Sequence, residues 1–193
     1  MMEKFNLRGL LAKPYKLLTQ PTPAWESIRQ EQIEGVVLFR NFLIPLTSIF
    51  VTFSFLLCLL HTSVFYALGR SIILFVASII GTYITYRVSK EYLNDKVTEA
   101  NRISLYLAVY SSAVFIPLHC LSCGFSEGFF SQLMAICSLL CLRTLYIGLT
   151  RLTHLNPQYR KSAVIIIGLL VIVAPIIVQQ LLKIIFRIPT IYA

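Results

Sequence analysis

Hydrophobic residues in this chain are concentrated in five long stretches, separated by shorter segments that hold nearly all of the charges. Each stretch has close to the ~20 residues that a helix needs to cross the hydrocarbon of a bilayer. No stretch alternates polar with apolar residues as a membrane barrel strand does, so the backbone groups must pair within helices. The pattern predicts an all-α membrane protein, a bundle of about five transmembrane helices. The predicted spans are residues 42–60, 70–88, 103–121, 132–150 and 162–184.

Residues 1–41 have a different pattern and are predicted to form a cytoplasmic amphipathic segment that precedes the transmembrane domain, residues 42–193. Leucines are interleaved with Lys and Arg between residues 5 and 18, which is typical of a basic helix lying on a membrane surface. We expect Pro14 to break this helix. A second short helix should begin at Thr22, as its N-cap, and continue towards Glu34.

The second short helix offers three candidate contact residues, Pro23, Trp25 and Ile28, for a partner or the membrane surface. The alternative is that both N-terminal helices only cover the cytoplasmic face of the bundle. The sequence leaves both interpretations open.

Composition supports lipid as the solvent of the five stretches. Of the 193 residues, 57% are hydrophobic and only 13% charged, and the mean hydropathy is +0.77. A soluble domain usually has about a quarter of its residues charged. The first 40 residues lack an isolated apolar core of signal-peptide length, so we expect the first hydrophobic stretch to remain as an anchor.

The net charge of +9 arises from short basic clusters beside the apolar stretches. That placement suits membrane topology and anionic lipid headgroups better than nucleic acid, which is not expected as a partner. The basic residues predict the orientation, because Lys and Arg accumulate in cytoplasmic segments. One side of the membrane receives Lys4, Arg8, Lys13, Lys16, Arg29, Arg40, Arg87, Lys90, Lys96, Arg102, Arg151, Arg160 and Lys161. The other side receives Arg70, Lys183 and Arg187. We therefore predict a cytoplasmic N-terminus and an external C-terminus, in the cytoplasmic (inner) membrane.

All eight acidic residues lie outside the predicted spans. Proton-coupled transporters and intramembrane proteases usually need carboxylates at membrane depth, so both classes are disfavoured. The chain also has no Walker loop, no GxGxxG, no nucleophile elbow and no HExxH motif. We predict that it is not an enzyme and that it has no cofactor.

Arg143 is the one charge in the interior of a predicted span, since Arg70, Arg87 and Lys183 lie at span ends, and it stands about 12 Å from the cytoplasmic end of the fourth helix. A buried guanidinium there would face the bundle or a wet cavity. Helical spacing places several aromatic residues near the same end of the membrane, where they could form a polar pocket with it. The pocket would comprise Arg143, Tyr146, Tyr106, Tyr110, Tyr83, Tyr86 and Arg87. The alternative is a structural Arg, bound by carbonyls and aromatic faces, that holds helices in register.

Cysteine and histidine give no clear site. His119, Cys120 and Cys123 form the motif HCLSC, and Cys137 and Cys141 lie one helical turn apart. The motif lacks a second well-placed pair in a polar loop, so we predict apolar packing and no metal.

Three segments resemble the Yip1 domain family of five-helix membrane proteins. They are PTPAWESIRQE (Pro21–Glu31), RNFLIPLTSI around Pro45, and LYIGLTRLTHLNPQYRKSA (Leu145–Ala163). The resemblance implies a five-span fold with its N-terminus in the cytoplasm. Eukaryotic members are linked to vesicle traffic and small GTPases through a long polar N-terminal region, which this chain lacks, so it looks like a compact bacterial member.

We therefore hypothesise a non-enzymatic, Yip1-like membrane protein that binds partner proteins or organises the membrane. Its expected partners are membrane lipids and a second membrane protein or a second copy of itself. The alternative hypothesis is transport of a small solute or a lipid through a polar path near Arg143.

Overall fold

The computed structural model describes residues 7–31, 33, 35–125, 128–153 and 155–186, with the side chains of Leu7 and Arg8 left out. Seven helices follow one another along this part of the chain, and none of its residues lies in a strand. Two are short, α1 (Leu7–Thr19) and α2 (Pro21–Gln30). The other five are long and apolar enough to span a membrane: α3 (Gly35–Leu59), α4 (Val64–Leu93), α5 (Ala100–Gly124), α6 (Phe129–Leu152) and α7 (Pro157–Ile185). The predicted all-α class and the five spanning helices are confirmed.

All five helices extend beyond their predicted spans at one or both ends. Helix α4 continues to Leu93 through polar turns beyond its predicted span, an extension that the helical spacing of Tyr92 and Leu93 after Arg87 indicates although hydropathy does not. Two helices are also irregular. Residues Phe39–Leu43 form a π-helical turn just before Pro45 in α3, and α6 is interrupted at Leu139. The hydroxyl of Ser138 donates to the carbonyl of Ala135 at this interruption (2.6 Å) and competes with the helix bonds there.

Helix α5 is the centre of the bundle and packs against each of the other four spanning helices. In its most apolar 18-residue stretch 89% of the residues are buried, compared with 33–39% in the other four helices. It is also the least hydrophobic of the five. Helix surface that faces lipid must be apolar, whereas a central helix faces other helices and benefits from small residues that let its neighbours approach. Ala108, Ser111, Ser112 and Ala113 serve this purpose, and all four are buried.

Consecutive spanning helices run antiparallel, so α3, α5 and α7 share one direction. We call the end of the bundle that holds α1, α2 and the α4–α5 connection (residues 94–99) the capped end, and the opposite end the open end. Helices α1 and α2 pack against each other and against α5 and α6. They therefore form part of the bundle and cover its capped end.

Two details of α1 and α2 were predicted wrongly. Helix α1 continues through Pro14, because Leu10, Pro14 and Leu17 form one buried face and the packing of that face outweighs the lost backbone bond. The chain instead breaks at Gln20, whose φ of −134° and ψ of 65° are non-helical, as expected for the residue before Pro21. Helix α2 thus begins at Pro21, with no N-cap at Thr22, and ends at Gln30; Glu34 lies outside the described residues.

Glycine allows one close approach between spanning helices. A Cβ at Gly81 of α4 would lie 2.6 Å from the backbone nitrogen of Pro175 in α7. We predict that Gly81→Ala lowers the free energy of unfolding by about 1–2 kcal/mol, because overpacking against a backbone forces the two helices apart. Unfolding in mixed detergent micelles measures this cost. Ile80→Ala, at a half-exposed position beside it, is the control and should cost less than about 0.5 kcal/mol. Equal effects of the two substitutions would contradict the close contact.

Candidate functional site

A charge pair joins the two short helices inside the capped end. The ammonium of Lys13, on α1, lies 2.7 and 2.9 Å from the two carboxylate oxygens of Glu31, which follows α2. The side chains retain 36% and 24% of their exposure. Tyr110 of α5 donates its hydroxyl to the same carboxylate (2.8 Å), and Lys13 donates to the Tyr110 oxygen at 3.3 Å. Every polar group of this cluster therefore has a partner.

Aromatic rings surround the pair. The Lys13 ammonium lies 5.8 Å from the centre of the Phe42 ring and 5.6 Å from that of Tyr110, distances suited to cation–π attraction. Tyr106, one turn before Tyr110 on α5, donates its hydroxyl to the carbonyl of Glu31 (2.6 Å) and accepts a bond from the Ile33 amide (3.1 Å). Tyr106 thus fixes the backbone between α2 and α3, and Tyr110 fixes the charge pair.

Trp25 attaches α2 to α6. The side chain is fully buried, and its indole N–H donates to the carbonyl of Thr144 (2.9 Å). The ring packs on Gly148, where a Cβ would come within 2.6 Å of the indole carbons, and meets Tyr110 edge-on at 5.9 Å. Ile28, one turn further along α2, is also buried. Of the three predicted contact residues only Pro23 is exposed; Trp25 and Ile28 are covered by the chain itself and offer no surface to a partner.

The seven residues of the predicted polar pocket lie in three separate places. Tyr106 and Tyr110 are buried in the cluster around Glu31. Tyr83 and Tyr86 lie together on α4, with ring centres 6.1 Å apart, and Tyr86 donates to the Asn101 side chain. Arg87 lies on the same helix as these two tyrosines, whereas Arg143 and Tyr146 lie on α6, and all three are exposed. These side chains therefore do not line one common pocket in this structure.

Arg143 is exposed on the outer surface of α6, inside the predicted fourth span. It stands nine residues before the end of α6 at Leu152, which is roughly 13 Å along the axis. It forms no hydrogen bond or ion pair with any residue in the described ranges. Tyr146 and Thr150 follow at helical spacing and are exposed on the same side. We call Arg143, Tyr146 and Thr150 the α6 polar face.

The predicted Cys and His residues lie towards the open end. His119 faces Gln179 of α7, with Nε2 and Oε1 3.2 Å apart, and the Cys123 sulfur lies 3.8 Å from the same nitrogen. His119 also stacks on the ring of Phe115. All five cysteines are free thiols, and the described residues include no group of three or more His, Cys, Asp and Glu side chains arranged to hold a metal ion.

Sequence patterns did not single out Lys13 and Glu31. The sequence pattern places Lys13 among the basic residues of the first amphipathic helix and Glu31 among the acids outside the predicted spans. One signal could have found them: Tyr106 and Tyr110 place two hydroxyls on one face of the most buried helix, and such hydroxyls need polar partners from another segment. The acidic residues that could serve as these partners belong to the N-terminal segment and the α4–α5 connection.

Comparisons with known proteins add no family to this picture. No family model matches the chain, and neither a curated protein nor a solved structure gives a match.

Proposed function

We propose that this protein is a non-enzymatic component of the cytoplasmic membrane that assembles laterally with a second membrane protein through the α6 polar face. In this proposal the capped end faces the cytoplasm and the C-terminus is outside, as the distribution of Lys and Arg predicts. The resemblance of three sequence segments to the Yip1 domain family supports the same orientation and a partner-binding role.

Exposed Arg143 is the observation on which the proposal depends. A charged residue at the centre of a membrane helix costs about 2.5–3.5 kcal/mol on insertion scales, and somewhat less nearer the interface. Such residues usually pair with another protein group or line a wet cavity. Because Arg143 has no partner among the described residues of its own chain, its guanidinium is available to an acceptor that another molecule supplies.

The acceptor is more readily supplied by a different protein than by a second copy. All eight acids of this sequence lie outside the predicted spans, so another copy has no carboxylate at the depth of Arg143. A symmetric contact would also place two Arg143 side chains close together, and like charges repel. We therefore expect a partner with Asp or Glu in the cytoplasmic half of a transmembrane helix. Transport along a path near Arg143, the alternative hypothesis, is less well supported because the residues of that path are dispersed.

Site-specific photocrosslinking in native membranes tests the proposal. A benzophenone side chain is placed at Tyr146 and, as a control of similar depth and exposure, at Ile165 on α7. We expect a discrete protein adduct from position 146 only. Arg143→Leu should reduce its yield about tenfold, and Arg143→Lys should retain much of it, since one charge-assisted bond contributes about 1.5–3 kcal/mol.

The identity of the adduct decides the outcome. Support requires a partner with an acidic residue at membrane depth, whose replacement by the corresponding amide lowers the yield as Arg143→Leu does. A second copy of this chain in the adduct, or lipid adducts alone at both positions, would refute the assignment.

A further inference from the structure

A cavity of about 340 Å³ opens at the capped end, between α2, the α4–α5 connection and the end of α6. Tyr106 is part of its wall, and none of the three residues of the α6 polar face lines it. Its lining includes Arg29, Lys96, Glu99, Arg102 and Tyr106. We call it the basic cavity, and the inference below is independent of the proposed lateral partner.

Positive charge predominates in the basic cavity. Arg29, Lys96 and Arg102 line it, and Glu99, bonded to Arg102 at 2.8 Å, is its one acid. The two described acids nearest to Arg29 in sequence are engaged elsewhere. Glu26 pairs with Arg151 at 3.1 Å and Glu31 pairs with Lys13. Glu91 and Asp95 are exposed and do not line the cavity. Arg29 has no ion pair within the described part of the chain.

The backbone adds to this positive potential. The first hydrogen bond of α5 joins the amide of Ile103 to the carbonyl of Glu99, so the amides of residues 100–102 precede the helical ladder. The positive end of a 25-residue helix therefore lies beside Arg102. Glu99, at the N-cap, has a φ of 64° and no side-chain bond to these amides. A non-glycine residue in this left-handed conformation is strained, and such strain is concentrated at ligand sites.

We propose that the basic cavity binds a phosphate group, which is carried either by a soluble anion or by the headgroup of an anionic lipid. Guanidinium groups bind phosphate oxygens in bidentate fashion, and Arg29 and Arg102 approach the cavity from different helices. The volume suits a phosphate with a small organic substituent. A bound phosphate would compete with the Glu99 carboxylate for Arg102. Glu99 therefore lowers the affinity of the cavity for phosphate.

Thermal unfolding of the full chain, followed by fluorescence of Trp25, its single tryptophan, tests the proposal in two arms. In detergent, inorganic phosphate is titrated against chloride at constant ionic strength. In nanodiscs, phosphatidylcholine alone is compared with phosphatidylcholine containing phosphatidic acid. Stabilisation by inorganic phosphate beyond chloride identifies a soluble ligand, and stabilisation by phosphatidic acid alone identifies a headgroup. The absence of both would overturn the proposal.

Three variants separate the cavity from general charge effects. Arg29→Gln combined with Arg102→Gln should weaken binding at least tenfold. Lys161→Gln removes an exposed charge at the same end without touching the cavity, and should bind as the parent does. Glu99→Gln should bind about tenfold more tightly, because Arg102 is released. The proposal would be overturned if phosphate or phosphatidic acid stabilised the double variant as much as the parent. The unfolding midpoint of the double variant without ligand, compared with that of Lys161→Gln, shows that the variant is folded.

Discussion

Replacing Trp25 by alanine is expected to lower the free energy of unfolding by about 3–5 kcal/mol, the usual cost of removing a fully buried tryptophan. The indole is enclosed between α2, α5 and α6, and its loss also leaves the Thr144 carbonyl without the bond from Nε1. Unfolding in mixed micelles, followed by far-ultraviolet circular dichroism, measures the cost. Because Trp25 contacts α5 and α6 at the capped end, we expect α1 and α2 to separate from the bundle before the five spanning helices unfold.

A substitution on the opposite side of the contact distinguishes separation of α2 from general unfolding. Gly148→Val retains Trp25 but occupies the space of its indole ring. Trp25 is the only tryptophan, so its emission should shift to longer wavelength and become accessible to iodide. Thr150→Val, on the exposed side of the same helix, is the control and should leave the emission unchanged. A protected, blue-shifted Trp25 in Gly148→Val would contradict the docking of α2 on α6.

Sequence patterns predicted the five spanning helices because one physical requirement decides them. A segment surrounded by lipid must be apolar for about 20 residues, and its backbone N–H and C=O groups must form hydrogen bonds with one another. That requirement acts on each segment separately, so it can be recognised without knowing the neighbours. The ends of the helices were predicted less well, as at α3, which begins at Gly35 although Arg40 and Asn41 interrupt its apolar stretch, because hydropathy marks only the part of a helix that faces hydrocarbon.

The candidate site could not be predicted in the same way, because it depends on which segments meet. Helical spacing correctly placed Tyr106 and Tyr110 on one face of α5, yet it could not tell that Lys13 and Glu31 cover that face. The spacing of Tyr146 from Arg143 was also correct, but the rotation of α6 about its axis places both residues outward. The side of α6 that faces the bundle and the side that faces outward are both apolar, so hydrophobicity does not predict which side faces inward. Pro14 is a similar case, in which packing of a buried face outweighed a local preference.

The capped end combines features that are costly in a membrane protein unless each is matched by a partner. Lys13 and Glu31 neutralise each other, Tyr106 bonds the backbone that enters α3, and Trp25 bonds a carbonyl of α6. These contacts hold α2 in the position that gives the basic cavity its Arg29. Attachment of α2 is therefore a condition for the phosphate site, whereas the α6 polar face lies on the outer side of α6 and does not require it.

The charge pair gives the second large effect. Glu31→Gln should lower the free energy of unfolding by about 2–3 kcal/mol, somewhat below the 3–5 kcal/mol typical of a fully buried pair, because both side chains keep some exposure. The substitution leaves the Lys13 ammonium beside the rings of Phe42 and Tyr110 without a carboxylate. Lys13→Met in the same chain removes that uncompensated charge, so the double variant should regain most of the stability and lie within about 1 kcal/mol of the parent.

The other pair of α2 provides the matched control. Glu26 and Arg151 lie 3.1 Å apart, but their side chains are 46–54% exposed. Exposed pairs contribute little, so Glu26→Gln should change the free energy of unfolding by less than about 1 kcal/mol. Mixed-micelle unfolding followed by Trp25 fluorescence measures four variants under one condition: Glu31→Gln, Lys13→Met, their combination and Glu26→Gln. If Glu31→Gln costs no more than Glu26→Gln, or if the Lys13 and Glu31 substitutions are simply additive, the pair is not coupled and the attachment of α1 and α2 must depend on Trp25 and Tyr106 alone.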